Sequence, residues 1–209
     1  MKPPDNRLLI AITGGIASGK STVACWLENR GYQVINTDLI GHGLLQDPKV
    51  ITLITENFGD QICSSGRIDR RKLAEIVFQD ELKLKLLNDI LHSRILLEMQ
   101  DRINESEYGI IFCEIPLLYE NNLQGCFDLV VNIHVSREMQ IERITEKFKI
   151  SRESAAKRIN TQLNPAEKYL KADVNIQNNG TLSELFEQLE RFEENLENIS
   201  PREKKGFPI

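Results

Sequence analysis

The 209-residue chain lacks several patterns by which common classes of protein are identified. Its four cysteines show no C-x-x-C spacing, and no cluster of histidine and cysteine suggests a zinc site. No apolar run approaches the length of a membrane span, and the first residues contain no apolar segment long enough for a signal peptide. These absences predict a cytoplasmic protein that does not bind membranes.

An excess of positive charge is also lacking. The formal net charge is −5, whereas general nucleic-acid binders usually carry a basic face. We therefore expect no nucleic-acid partner, although this balance still allows a local basic pocket for phosphates. Cys25 and Cys113 fall in apolar helix and strand patterns, which predicts buried free thiols and fits a reducing compartment.

What the sequence does contain is a glycine-rich loop that fits G-x-x-x-x-G-K-[ST], beginning at Gly14. An apolar segment precedes it and a helical pattern that ends at Gly31 follows it, as the motif requires. In such a loop, backbone N–H groups converge on phosphate oxygens. Lys20 is expected at the β- and γ-phosphates and the Ser21 hydroxyl at Mg²⁺. The predicted ATP contacts in the loop are Gly15, Ile16, Ala17, Ser18, Gly19, Lys20, Ser21 and Thr22.

Asp38 follows a short predicted strand, Gln33–Asn36. A second parallel strand would deliver this side chain to the ligand edge of the sheet. There the carboxylate could take the proton from an acceptor hydroxyl, as catalytic aspartates of other phosphoryl transferases do. It could equally cap the helix begun by Leu39 and Ile40, and the residues alone do not decide between the two.

A mostly helical segment runs from His42 to Glu107 and is too long for a simple crossover, so it predicts a helical insertion between two strands. Helices are expected over Arg70 to Phe78 and Glu81 to Ile103, the latter with Leu86, Leu87, Ile90, Leu91 and Ile95 facing a core. The run Arg70-Arg71-Lys72 could meet phosphates or form a solvated face. His92 could be a structural residue or could contact a ligand.

Two further buried strands are predicted, Gly109 to Glu114 and Asp128 to Val135. Glu114 ends the first of them, where an acid could hold Mg²⁺ or its waters. A helix from Arg137 to Lys149 follows. It begins a cationic stretch that suits a mobile lid over phosphates, or alternatively a surface helix pair, with cations Arg143, Lys147, Lys149, Arg152, Lys157 and Arg158.

The chain closes with an edge-like strand, Asp173 to Gln177, and an amphipathic helix opened by a capping box at Thr181 and Glu184. The apolar stripe of this helix is assigned to the core and comprises Leu182, Leu185, Phe186, Leu189, Phe192 and Leu196. The tail from Ser200 to Ile209 is polar and expected to be poorly ordered.

These elements together resemble the dephospho-coenzyme A kinase family. The resemblance runs from about Leu9 to about Leu189 and is most specific in three elements that occur in this order, Asp69-Arg70-Arg71, Pro116-Leu117-Leu118 and Arg158-x-x-x-Gln162. Other matches are Ile12 to Ala24, Val34 to Asp38, Phe58-Gly59, Gly66 to Leu73, Leu91-His92, Ile115 to Glu120 and Ala172 to Gly180.

The resemblance implies an α/β, three-layer P-loop NTPase fold with about five parallel strands, a helical substrate-binding insertion and a lid. It implies ATP-dependent phosphorylation of the ribose 3′-hydroxyl of dephospho-coenzyme A, the last step of coenzyme A synthesis, with Mg²⁺ as cofactor. We expect a monomer or weak homo-oligomer. The implied organisation is a nucleotide-binding core (1–38, 108–136, 168–199), a helical coenzyme A-binding insertion (39–107), a lid (137–167) and a flexible tail (200–209).

The resemblance also assigns roles. Asp38 becomes the general base, acting with Lys20 and Arg143 in catalysis. Arg143 and Arg158 resemble lid arginines that neutralise the migrating phosphoryl group. The turn from Asn178 to Gly180 borders adenine. The acceptor pocket is implied to comprise Asp38, Arg70, His92, Leu117 and Arg158.

Six positions depart from the family pattern. Asn36, Ser93, Glu114 and the pair Lys147-Phe148 stand where aspartate, proline, aspartate and Arg-Asp are usual. Ala17 replaces a glycine, which is tolerable if its backbone stays in a right-handed conformation. Two other functions stay open on the sequence, a P-loop kinase for a nucleoside monophosphate or small metabolite, and a non-catalytic ATP-binding regulator.

Overall fold

The computed structural model describes residues 7–64, 66–77 and 79–209, the side chain of Glu81 excepted. The strands are β1 (Leu8–Thr13), β2 (Gln33–Asn36), β3 (Cys63–Ser64), β4 (Arg67–Ile68), β5 (Ile110–Glu114), β6 (Leu129–His134) and β7 (Val174–Gln177). The α-helices are α1 (Lys20–Asn29), α2 (Thr37–Leu44), α3 (Pro48–Phe58), α4 (Arg70–Val77), α5 (Glu81–Glu105), α6 (Arg137–Phe148), α7 (Arg152–Ile159), α8 (Pro165–Lys171) and α9 (Leu182–Glu194).

A five-stranded parallel sheet forms the centre of the fold, in the order β2-β5-β1-β6-β7. β1 lies between β5 and β6, with Ile12 opposite Glu114 on one side and opposite Val131 on the other. Every residue of β1 is buried, because helices cover both faces of such a sheet and a continuous apolar run satisfies both. The predicted α/β fold class is confirmed, and β7 is an edge strand as expected.

The chain divides into two compact units. The first comprises the described residues up to Ile35 together with Ser106–Gly206, and the second comprises Asn36–Glu105 with Phe207–Ile209. The core of the second unit is an apolar cluster around Ile54 and Ile62. Its helices were predicted, whereas the two-stranded antiparallel sheet of β3 and β4 was not.

Three details of the sequence-based prediction change in the helices. α5 extends to Glu105, and Leu86, which we expected in the core, is 38% exposed. α4 ends at Val77, and the predicted end at Phe78 lies outside the described residues. Leu182 is 60% exposed because it occupies the first position of α9, whereas the stripe residues one to four turns later are buried or packed on the core.

The prediction of a buried Cys25 is wrong. The buried positions of α1 are spaced as one helical face at Val23, Ala24 and Leu27, and Cys25 lies off that face and is exposed. Cys113, on the interior strand β5, is fully buried as expected, and burial raises the pKa of its thiol to about 12.

Residues 202–205 of the C-terminal tail make specific contacts within the first unit. The buried carboxylate of Asp128 accepts hydrogen bonds from the Leu9 N–H at 2.7 Å and the Arg202 N–H at 2.7 Å, and it forms an ion pair with Lys204. The Lys205 N–H donates to the Gly125 carbonyl at 2.9 Å. The flexibility predicted for residues 200–209 stays a prediction. Two residues of this segment, Arg202 and Lys204, nevertheless bond the buried carboxylate of Asp128. Within the described residues, we find no helix with the length and apolar character needed to cross a membrane.

Candidate active site

The glycine-rich loop connects the carboxyl end of β1 to the N-terminus of α1. Gly19 precedes α1 with a φ of +97°, in the region that favours glycine, and a Cβ there would overlap the Asn178 amide. A Cβ on Gly15 would overlap the amide of Gln140. The loop therefore needs glycine both for its turn and for the side chains that approach its backbone. The helix that follows presents its first N–H groups, which lack partners within the helix, toward the loop.

Lys20 lies inside the loop. Its side chain is 8% exposed, and its ammonium donates hydrogen bonds to the carbonyl oxygens of Gly14 and Gly15, both at 3.0 Å. These carbonyls keep the positive charge beside the backbone that would receive a phosphate. The arrangement gives the loop a cation held in place before any anion binds.

The backbone of Ala17 is left-handed and not right-handed, as a residue with a Cβ was expected to need here. Its φ is +58°, which is the left-handed region and costs about 1–2 kcal/mol for a residue with a Cβ. The side chain packs with Ile16 against an apolar cluster of α6 and α7 that contains Ile144, Ala155 and Ile159. Packing on this cluster offsets the backbone strain.

Arg143 on α6 and Asn178 after β7 meet at the loop. The Arg143 guanidinium donates to the Asn178 carbonyl at 2.9 Å and to the Ala17 carbonyl at 3.4 Å. The buried Asn178 amide donates to the Ser18 carbonyl at 2.7 Å. Two residues predicted to contact ATP from distant parts of the sequence are thus brought against the loop.

Two glutamines that sequence reasoning did not assign to the site bond the same loop. The Gln140 amide donates to the Ile16 carbonyl at 2.9 Å, and the Ile16 N–H donates to Gln162 Oε1 at 3.0 Å. Gln140 lies one turn before Arg143 on α6, and this i, i+3 spacing was a signal that could have placed it on the same face. Gln162 belongs to a family element recognised in the sequence, without a role.

The donor set fits Mg²⁺ at this end of the sheet. The Ser21 hydroxyl lies in the first turn of α1, and the carboxylate of Glu114, 4% exposed, ends the neighbouring strand β5. Both are oxygen ligands of the kind that Mg²⁺ takes, usually one or two from protein and others from phosphates and water. Among the described residues there is no cluster of three or more histidine, cysteine, aspartate or glutamate side chains that could hold a metal.

Three other predicted site residues of the first unit lie on elements outside the glycine-rich loop. Leu117 is 38% exposed in the turn after β5, and Gly180 precedes the capping box of α9. Arg158 is exposed, and its guanidinium lies 4.8 Å from the centroid of the Phe148 ring. This cation–π contact directs the arginine toward the end of α6, where Phe148 departs from the family pattern.

A buried ion pair joins α8 to the turn after β5. Lys168 is 1% exposed, and its ammonium lies 2.9 Å from Glu120 Oε1 and donates to the Pro116 carbonyl at 2.9 Å. Glu120 Oε1 also accepts the Leu163 N–H at 2.8 Å.

Burial lowers the pKa of His134, whose ring contacts Tyr169 edge to face at 5.0 Å.

Asp38 lies in the second unit, in the first turn of α2, and is exposed. The residue that caps α2 is Asn36, whose side-chain oxygen accepts the Leu39 N–H at 3.0 Å. This excludes the capping interpretation of Asp38. Asn36, one of the departures from the family pattern, therefore has a structural use of its own.

Arg70 and His92 also lie in the second unit. The exposed Arg70 guanidinium donates to His42 Nε2 at 2.6 Å, a partner that the sequence did not suggest. His92 Nε2 is buried and, within the part of the chain that the structure describes, has no hydrogen-bond partner. A buried ring nitrogen without a partner is costly, which distinguishes His92 from a satisfied core histidine.

A parallel sheet, a phosphate-binding loop between β1 and α1 and a buried lysine within that loop define the class of P-loop nucleotide-binding proteins. The comparisons narrow the class. The family model for dephospho-CoA kinase matches residues 8–184, and the chain belongs to this family. It is therefore a kinase that transfers phosphate to a hydroxyl group.

Individual relatives agree. A dephospho-CoA kinase of Fusobacterium nucleatum is 39% identical over 186 residues, covering 88% of this chain and 96% of its own. The crystal structure of TT1252 from Thermus thermophilus matches with a TM-score of 0.79 at 30% identity, covering 92% of this chain and 99% of that one. A dephospho-CoA kinase from Campylobacter jejuni matches with a TM-score of 0.67 at 28% identity, covering 91% and 97%.

Proposed function

We propose that this protein phosphorylates the ribose 3′-hydroxyl of dephospho-CoA with ATP and Mg²⁺, giving CoA and ADP. The observation that carries the acceptor is the family match over residues 8–184, which includes the glycine loop, Asp38 and Arg143. The donor is supported by the loop itself, where Lys20 and the first turn of α1 offer positive charge and N–H groups.

Each residue has one task in the proposed reaction. Lys20 and the loop N–H groups bind the β- and γ-phosphates. Asp38 accepts the proton of the 3′-hydroxyl. The oxygen of that hydroxyl attacks the γ-phosphorus, and ADP leaves. Arg143 neutralises charge on the transferred group. Ser21, and Glu114 directly or through water, would hold Mg²⁺, which would supply charge neutralisation at the phosphates.

The test of the reaction is ATP consumption with dephospho-CoA as acceptor, with the product identified by mass as CoA. CoA itself is the matched control acceptor, because its 3′-hydroxyl already carries phosphate. We expect turnover with the first acceptor, none with the second, and loss of turnover with EDTA. Equal ATP consumption with both acceptors would contradict the proposed site of phosphorylation. ATP binding without product would favour the non-catalytic regulator.

Asp38→Asn tests the base. The amide has nearly the same shape as the carboxylate but cannot take the proton at neutral pH. We expect kcat to fall by about 10²–10⁴-fold, the usual contribution of such a group, with ATP affinity retained. Asp47→Asn, which changes an exposed aspartate that caps α3, is the matched control. Equal losses of ATP binding and turnover in Asp38→Asn would refute this role.

The remaining proposals concern the setting of the enzyme. We propose that it acts in the cytoplasm on small molecules alone, as a monomer or weak homo-oligomer, without nucleic-acid or membrane partners. Sedimentation of the purified protein at several concentrations measures the oligomeric state, and a stable higher oligomer at micromolar concentration would contradict this expectation.

A further inference from the structure

The contacts at Ile16 carry an inference about how the phosphate loop is held. The peptide groups of Ile16 are bonded on both sides by side chains from the segment 137–167. Its carbonyl accepts from Gln140 at 2.9 Å and its N–H donates to Gln162 at 3.0 Å. These partners are 124 and 146 residues away along the chain. We call this pair of bonds the Ile16 clamp.

The clamp acts together with packing. The side chains of Ile16 and Ala17 pack against the cluster of Ile144, Ala155 and Ile159, which belongs to α6 and α7. The Ala17 carbonyl also accepts from Arg143. The tip of the phosphate loop is therefore part of the core of the segment predicted to be the lid, so displacement of that segment must disturb the loop.

We propose that Gln140 and Gln162 are positioning residues for ATP. They fix the peptide of Ile16, and through it the backbone that leads to Ser18, Gly19 and Lys20. The clamp occupies the carbonyl and N–H groups of Ile16 and leaves the first N–H groups of α1 to bind phosphates. This inference rests on the proposed use of ATP as phosphate donor.

The chemistry of the clamp assigns opposite requirements to the two glutamines. Position 162 must accept a hydrogen bond from an N–H group, which a glutamate also does. Position 140 must donate to a carbonyl, which a glutamate carboxylate cannot do. A side chain that merely fills space would tolerate the apolar methionine at least as well as the charged glutamate. Recovery of ATP binding by glutamate but not by methionine at position 162 is thus specific to the clamp.

The experiment measures the dissociation constant of ATP by direct titration, and the KM values of ATP and dephospho-CoA by steady-state kinetics. Gln162→Met and Gln140→Met each remove one hydrogen bond and should weaken ATP binding about three- to tenfold, with the KM of dephospho-CoA unchanged. Gln162→Glu should recover binding to within about threefold of wild type, and Gln140→Glu should not. Gln100→Met is the control, since the Gln100 amide bonds Asn104 one turn away on α5.

Two results would overturn the clamp. One is that Gln162→Glu weakens ATP binding as much as Gln162→Met; the other is that both methionine variants raise the KM of dephospho-CoA as much as that of ATP. Gln140 is 1% exposed, so Gln140→Glu could fail to fold, and the comparison at position 162 decides the proposal without it. Failure of the proposed function is distinguished by the wild type, which would then bind ATP and form no CoA.

Discussion

Replacing Lys204 by methionine should destabilise the protein far more than an exposed tail residue would suggest. The Lys204 ammonium lies 2.6 and 2.7 Å from the two carboxylate oxygens of Asp128. The Asp128 side chain is fully buried, and Lys204 is 24% exposed. Methionine keeps most of the aliphatic stem and removes the charge, so the substitution leaves a buried carboxylate without its counter-ion.

The size of the effect follows from burial. Removing one partner of a buried ion pair costs about 3–5 kcal/mol, whereas exposed pairs contribute about 0–1 kcal/mol. Lys204 is partly exposed, and two backbone N–H groups, of Leu9 and Arg202, still bond Asp128. We therefore expect a loss of about 2–3 kcal/mol in the free energy of unfolding, at or below the low end of the buried range. For a chain of this size that loss lowers the melting temperature by roughly 4–12 °C.

Thermal unfolding followed by circular dichroism at constant pH measures this shift. Lys205→Met is the matched control, because Lys205 is the exposed neighbour in the same tail and should shift the melting temperature by less than about 2 °C. Asp128→Asn combined with Lys204→Met should cost less than the sum of the two single changes. If Lys204→Met and Lys205→Met behave alike, the tail does not stabilise Asp128 and the reasoning fails.

Three further predictions concern single side chains. Arg143→Lys should lower kcat/KM for ATP about tenfold, since lysine has a single terminal nitrogen in place of the two guanidinium nitrogens that separately bond the carbonyls of Ala17 and Asn178, and an unchanged value would contradict the contact. A thiol reagent at pH 8 should modify exposed Cys25 rapidly and Cys113, whose pKa is raised to about 12, only on unfolding; simultaneous reaction would contradict the burial. Burial lowers the pKa of His134 below 6.5, so the unfolded chain binds a proton at a higher pH than the folded protein does. The free energy of unfolding should therefore fall as the pH drops below 6.5. Midpoints of urea unfolding should show this dependence on pH, and His134→Gln should reduce it.

The nucleotide-binding half of the site could be predicted because its signals are local. The strand, loop and helix around Lys20 occupy consecutive positions, and the spacing of glycine, lysine and serine is set by the phosphate rather than by the rest of the fold. The buried strands were predictable for the same reason, since parallel strands covered on both faces are apolar throughout. In these elements, residues that are neighbours in the sequence are also neighbours in the structure.

The parts that could not be predicted depend on long-range contacts. A glutamine bonded to a backbone carbonyl 124 residues away leaves no periodicity or motif in the sequence, so Gln140 was missed. The handedness of Ala17 depends on what its side chain meets, which the sequence does not state. The cap of α2 was missed because sequence reasoning began the helix at Leu39 and considered only Asp38 as its cap, whereas Asn36 is an equally good capping residue two positions earlier.

The departure at Ala17 and the Ile16 clamp are parts of one arrangement. A left-handed alanine persists only where its surroundings hold it, and here they consist of Ile144, Ala155 and Ile159 together with the bonds of Arg143 and the two glutamines. A glycine at position 17 would adopt the same backbone without strain but would contribute no methyl group to the cluster. Alanine at this position thus costs backbone strain and gains packing against α6 and α7. A phosphate loop attached in this way depends on the segment 137–167 for its shape, which is why substitutions of Gln140 and Gln162 should change the affinity for ATP before they change the affinity for the acceptor.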